Sequence, residues 1–183
     1  MAILGLDIST SCTGWCVLDD MGEILKIGYV DLSKEKCIFG KSKKVKQKIQ
    51  DMHIDYDIKK IFIEENLQSF RSGFSSAQTI STLSKFNGIV SFICFEEFSI
   101  VPYFLNVNSA RKHLGIKLKR KKDGGLPTKD QIAEWSRANI EYEWPTKILK
   151  SGPRKGKTVL DTRSYDMMDA YIVAKAGLVA CKI

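Results

Sequence analysis

The stretch Ala2-Ile3-Leu4-Gly5-Leu6-Asp7-Ile8 limits the fold more than any other part of the chain. It is apolar at both odd and even positions, and yet it carries a carboxylate. A strand of that pattern is covered on both faces, as in the parallel core of an α/β sheet. A charge inside it needs a hydrogen-bonding turn or a cation, because desolvating a lone carboxylate is costly. Asp7 lies just ahead of the small-residue turn Ser9-Thr10-Ser11. Two readings follow: a turn cap accepting from Ser9 or Thr10, or one arm of a metal site.

Periodicity gives the order of the remaining elements. Gly14-Trp15-Cys16-Val17-Leu18 predicts a second strand, Asp19-Asp20-Met21-Gly22 a hairpin turn, and Ile24 to Leu32 the returning strand. Val45, Ile49 and Met52 recur at helical spacing within the Lys-rich residues 40–56, which predicts an amphipathic helix with a basic outer face. Lys60-Ile61-Phe62-Ile63 is a buried strand that ends at Glu64-Glu65. Ile80, Leu83, Phe86, Val90, Ile93 and Cys94 predict a long helix from Ser75 to about Phe98. Val101 to Val107 reads as a strand that Pro102 confines to an edge, and Ser109 to Leu114 as a short helix closed by Gly115. Thr128 and Gln131 have capping-box spacing ahead of Ile132 and Trp135. The last helix runs from a candidate cap at Ser164 to about Ala180.

The expected class is α/β, with a three-strand antiparallel meander plus parallel strands in one mixed sheet flanked by helices. A chain of 183 residues suits a single domain over 1–183. Two basic appendages are expected on it: a flexible loop at 117–125 (KLKRKKDGG), too polar to join a core, and a hairpin-like loop at 145–163 with the tip SGPRKGK.

Carboxylate placement carries the functional information. Glu64 ends a buried strand, as Asp7 nearly does, and Asp166 and Asp169 stand three apart on one face of the last helix. Glu64 alone would mark the strand's exit into water, and Asp166 alone would favour the dipole of the helix's first turn. Asp169 resists such a reading, since Asp is a poor helix former and repels Asp166 at that spacing. Converging carboxylates repel one another, and Mg²⁺ is the natural guest for a set of hard oxygen ligands. The five cysteines contain no Cys-x-x-Cys pair, which argues against structural zinc, and their odd count argues against a disulfide scaffold; thiols in a reducing cytosol are expected. His53 and His113 form no convincing Ser/His/Asp or Cys/His set.

Taken in order over nearly the whole chain, Gly5-Leu6-Asp7, Thr13-Gly14, Ile63-Glu64 and Asp166-Met167-Met168-Asp169-Ala170 resemble the motifs of the RuvC-type Holliday junction resolvases. The resemblance implies an RNase H-like fold, a homodimer, and metal-dependent phosphodiester hydrolysis in four-way or branched DNA. It implies two Mg²⁺ ions per site, replaceable by Mn²⁺, held by Asp7, Glu64, Asp166 and Asp169, with Glu65 as the alternative to Glu64. Such hydrolysis activates a water and stabilises the departing 3′-oxygen across ions ~3.5–4 Å apart, without a side-chain nucleophile. A catalytic basic residue opening the preceding helix is matched by Lys129, and a second, more loosely, by Arg111 or Lys112. The family also carries an aromatic wedge soon after the metal-binding Glu. Leu67, Phe70 and Phe74 flank Arg71-Ser72-Gly73, and Phe70 is the favoured wedge, beside Arg71 on the DNA. The long helix that follows forms the family's dimer contact. Gly88 and the Phe86–Ile93 face suit that role, or equally suit packing on the sheet.

The charge balance agrees with a polyanionic partner: 29 Lys+Arg against 21 Asp+Glu gives +8. Arg111, Lys112, Lys117, Lys119, Arg120, Lys121, Lys122 and Lys129 crowd one stretch, and Arg154, Lys155 and Lys157 another. They line a channel for two duplex arms or remain solvated loops. Three rivals stand beside this reading. YqgF-type RNA-processing nucleases are shorter and lack the basic insertion. The sugar-kinase and actin superfamily shares a Gly-x-Asp-x-x-Thr-like first strand but needs two domains to enclose ATP. A catalytically inactive junction-binding module would not be expected to keep all four acids. No apolar run approaches the ~18 residues of a membrane span, and the N-terminus lacks a signal-peptide pattern. No membrane partner is expected, and the expected location is the cytoplasm (a host's, for a viral chain) or else an organelle.

Overall fold

The computed structural model describes residues 1–65 and 77–181. Strands β1 (Ala2–Ile8), β2 (Cys12–Asp19) and β3 (Ile24–Asp31) form the antiparallel meander. Helix α1 (Ile38–Asp55) crosses to β4 (Ile58–Glu64), parallel to β1, and α2 (Ala77–Phe98) leads to β5 (Tyr103–Leu105), parallel to β4. The order β3-β2-β1-β4-β5 places β1 at the centre, which is why its sequence is apolar on both faces. Among the described residues β5 pairs only with β4, and Pro102 precedes it at the edge.

Alternation along the strands divides the core. Leu4, Leu6, Ile8, Ile61 and Ile63 face α1 and α2, packing with Val45, Ile49, Phe86, Val90 and Ile93. Ile3 and Phe62 point the other way, onto Val173 and Leu178 of α5 (Arg163–Ala180). Helices α3 (Val107–His113), α4 (Thr128–Asn139) and α5 share that second face with Cys16 and Leu18. α1 is tied to α2 by Lys46, which reaches Glu96 at 2.8 Å and Glu97 at 3.0 Å. Strands β6 (Thr146–Ile148) and β7 (Thr158–Leu160) form a separate antiparallel ribbon ahead of α5.

α5 lies directly on the sheet because two glycines let it. A Cβ on Gly5 would stand 2.4 Å from the carbonyl oxygen of Ala170, and one on Gly14 would stand 2.0 Å from that of Asp166. No real side chain survives such a contact, so the backbones of β1 and β2 can approach the helix only at glycine.

Several local details differ from the sequence reading. Thr128 and Gln131 form no capping box: α4 starts at Pro127, whose carbonyl accepts from Asp130 and Gln131, and the Gln131 side chain bonds elsewhere. Ser164 lies inside α5, where its hydroxyl donates to the Pro145 carbonyl at 2.8 Å. The helix start is instead held by Asp161, which accepts from the Arg163 backbone N–H at 3.0 Å. Segment 117–125 contributes Leu118 to the α5-side cluster and contains a 3₁₀ turn at Lys121–Asp123. Of the α2 face, Phe86, Val90 and Ile93 are taken up by the core, while Gly88 has open space around it. The cysteines are free; Cys12, Cys16 and Cys94 are buried, Cys37 and Cys181 exposed.

Candidate metal centre

β1 and β4 run parallel with Leu6 opposite Ile63, so Asp7 and Glu64 lie next to each other at the carboxyl ends of adjacent strands. Alternation from Ile3 and from Phe62 turns both toward α5. Glu65 lies one residue beyond the end of β4, its backbone N–H donating to the Leu105 carbonyl at 2.8 Å. α5 brings Asp169 down onto this pair. Carboxylate oxygens of Asp7, Glu64 and Asp169 all lie within 4.8 Å of one another. Crevices beyond the carboxyl ends of parallel strands are where α/β sheets usually bind ligands.

The turn-cap reading of Asp7 fails for a simple reason: Ser9 does that work itself. Its hydroxyl accepts from the Cys12 backbone N–H at 3.1 Å and donates to the Cys12 carbonyl at 2.7 Å. Among the described residues Asp7 makes no side-chain hydrogen bond.

The electrostatics are those of a site that wants positive charge. Burial, then the charges of Glu64, Asp169 and Asp166, hold the Asp7 carboxyl well above the ordinary carboxylate range. Burial, followed by repulsion from Asp169, pushes Glu64 up to about 7. Asp169 is raised chiefly by burial, with Arg111 pulling the other way. Asp166 is also raised by burial, opposed by the Cys12 thiol at its carboxylate and by Lys129. Four carboxylates thus face two cations, and the remaining imbalance is what a divalent ion would neutralise. An all-oxygen, all-carboxylate donor set fits Mg²⁺ or Mn²⁺ and does not fit a soft metal.

The other expected site residues divide into three groups. Arg111 is drawn into the centre: its side chain is 14% exposed, and a guanidinium NH₂ lies 3.4 Å from Asp169. Lys129 opens α4 with its ammonium 5.6 Å from the Tyr165 ring centroid, and its charge acts on Asp7, Asp166 and Asp169. Lys112 is exposed and lines, with Arg111, Lys117 and Leu118, a cavity of about 280 Å³. Lys119, Arg120, Lys121 and Lys122 are exposed on the segment before α4, and Arg154, Lys155 and Lys157 on the β6–β7 tip. Phe70 and Arg71, together with Leu67 and Phe74, lie outside the described residues.

Sequence reasoning missed Cys12 and Arg163. Cys12 shares a face of β2 with Gly14 and Cys16, so strict alternation already aims it at the acidic end of α5. Its thiol meets the Asp166 carboxylate. Arg163 secures the start of α5 through Asp31 at 2.6 Å and Asp161 at 3.7 Å, over the Tyr29 ring. No local pattern links residues 31 and 163, so that pair is not readable from sequence.

No family model matches the chain, and no curated protein sequence matches it. Solved structures do. Thermus thermophilus RuvC in complex with Holliday junction substrate superposes over 100% of this chain and 95% of its own, with TM-score 0.66 and 15% identity. A second Thermus thermophilus RuvC structure gives TM-score 0.63 and 16% identity over 100% and 96%. The yeast mitochondrial Holliday junction resolvase Ydc2 gives 0.58 and 13% over 97% of this chain and 77% of that one. With a mixed five-stranded sheet between two helical layers, the chain has the RNase H-like fold of the RuvC-type resolvases.

Proposed function

We propose that this chain is a Mg²⁺-dependent, structure-selective endonuclease that resolves four-way or branched DNA as a homodimer. The observation that carries the reading is the meeting of Asp7, Glu64 and Asp169, from three separate elements, within 4.8 Å in this fold. Carboxylates do not converge in a partly buried crevice for stability, because their repulsion and desolvation both oppose folding.

Asp7, Glu64 and Asp169 would hold a divalent ion, and Asp166, one helical turn before Asp169, would complete the set for a second. The chemistry such ions supply is activation of water and stabilisation of the departing 3′-oxygen. Arg111 reaches Asp169, and the charge of Lys129 lowers Asp7, Asp166 and Asp169, so both would help to neutralise an arriving phosphate. The exposed cations before α4 and on the β6–β7 tip would hold the arms, through phosphates rather than bases. The free thiols fit a reducing compartment, and among the described residues no helix is long and apolar enough to cross a membrane.

The test is a synthetic four-way junction incubated with protein and Mg²⁺. Paired nicks at symmetric positions, with linear duplex left largely intact, are expected. Asp7→Asn should lose cutting while keeping junction binding. An Asp7→Asn protein that cuts as well as wild type removes the metal assignment. Cleavage of RNA without junction preference would place the activity with the YqgF-type enzymes, and binding without any cleavage would leave an inactive junction-binding module.

A further inference from the structure

The basic segment before α4 is a closed loop rather than a loose strap. The Gln131 side-chain NH₂ donates to the Lys119 carbonyl at 2.9 Å and to the Leu126 carbonyl at 2.6 Å, while its Oε1 accepts from the Lys119 N–H at 2.9 Å. One amide therefore engages both backbone groups of Lys119 and the far end of the same segment, using both of its donors. Within the loop, Asp123 and Gly125 donate to the Arg120 carbonyl at 2.9 and 3.1 Å, and Gly124 turns the chain at φ 80°. The two ends also cross at van der Waals distance: a Cβ on Gly125 would lie 2.3 Å from the Lys119 carbonyl oxygen. Arg120, Lys121 and Lys122 stand exposed on this frame.

We propose that Gln131 is a positioning residue, locking segment 119–126 into a preformed cationic claw that grips a DNA backbone at a fixed offset from the metal centre. The inference rests on the DNA-binding reading above and adds to it the device that sets the claw's place. Gln131 lies two residues after Lys129 on the same helix, so the loop that it clamps is tied to the start of α4, where Lys129 stands over the Tyr165 ring of the acidic helix. A loop already ordered binds without losing its own conformational freedom, and its cations meet phosphates in one register. A clamp serving only to tidy a surface loop would leave DNA affinity untouched.

Two substitutions open the loop from opposite sides without changing charge. Gln131→Leu removes the clamp, and Gly125→Ala forces the crossing apart while leaving α4 alone. Amide hydrogen exchange across 119–126 is measured in each, with junction affinity followed across a salt series in the absence of divalent ions. Both variants should exchange faster at positions 119 and 125 and bind about tenfold more weakly at fixed salt, with an unchanged slope of log affinity against log salt. The doubly substituted Lys121→Gln/Lys122→Gln protein should instead flatten that slope by up to about 2. Faster exchange with unchanged affinity overturns the proposal, as does unchanged exchange. If the lysine variant also keeps its slope, the loop is not a DNA contact at all. If wild type fails to bind the junction, the functional reading falls with it.

Discussion

At the residue scale the candidate site is an unresolved electrostatic conflict built from ordinary parts. Burial raises Asp7, Glu64, Asp166 and Asp169, carboxylate repulsion adds to it at Asp7, Glu64 and Asp169, and Arg111, Lys129 and the Cys12 thiol oppose it. The sign of the consequence follows from proton counting. A carboxyl whose folded-state value lies above its unfolded one binds more protons when folded, so stability falls as pH rises between the two. For Glu64 the window runs from its ordinary 4.5 to about 7. Metal-free protein should therefore lose stability from pH 5 to pH 8, on the order of 3 kcal/mol from this group. Urea unfolding at a series of pH values checks it. Added Mg²⁺ should restore the loss at pH 8, and Asp169→Asn should shrink it. A metal-free protein equally stable at both ends of the range would mean that the carboxylates are not held together as the structure has them.

At the element scale everything turns on how closely α5 approaches the sheet. Gly14 lies against the Asp166 carbonyl and Gly5 against Ala170, so these two positions fix the height of the acidic residues above Asp7. Gly14→Ala should push the first turns of α5 outward and displace Asp166 by a fraction of an ångström or more. A misplacement of about 1 Å can lower catalysis by about 100-fold, and the loss should appear in the junction-cleavage rate while the thermal melt stays cooperative. Full activity in that variant would show that the helix retreats without moving its carboxylates. The strands, the long helices and the placing of Asp7 and of Glu64-Glu65 at strand ends are legible in the sequence, because burial on two faces and a 3.6-residue period both show in the residue pattern. Helix starts are not legible in the same way. Ser164 and Gln131 have the right chemistry for caps, but Pro145 and Lys119, distant in sequence or fixed by a loop's path, claim them first. The choice of Glu64 over Glu65 lies between these cases: it needs only the register of β4 against β1, which alternation suggests and pairing decides.

At the scale of the whole molecule the candidate surfaces fall on different sides of the sheet. The cationic segments before α4 and on the β6–β7 ribbon are both rooted in the α5-side cluster, through Leu118 and Leu160. The opposite layer offers the outer face of α2, where Gly88, Phe92 and Phe95 follow one another at helical spacing. Phe92 is 61% exposed and Phe95 47%, although Phe86, Val90 and Ile93 on the same helix are fully used by the core. Single exposed apolar residues are common, but two large aromatics beside an unobstructed glycine make a surface that another helix can approach closely. Symmetric resolution of a four-way junction needs two nicks related by a two-fold axis, and this chain carries one carboxylate centre among its described residues. In the proposed homodimer, a second copy meeting the first through α2 would supply the other centre and would leave the side that bears the cationic segments open. Sedimentation should thus give a mass twice 20.7 kDa for wild type, and Phe92→Glu should run as the single chain. The variant should still bind Mg²⁺, because α2 contributes nothing to the carboxylate cluster, but its nicks should come singly and unpaired. A wild-type protein that sediments as one chain at concentrations where it cuts both strands symmetrically would remove the dimer and leave each nick to a separate encounter.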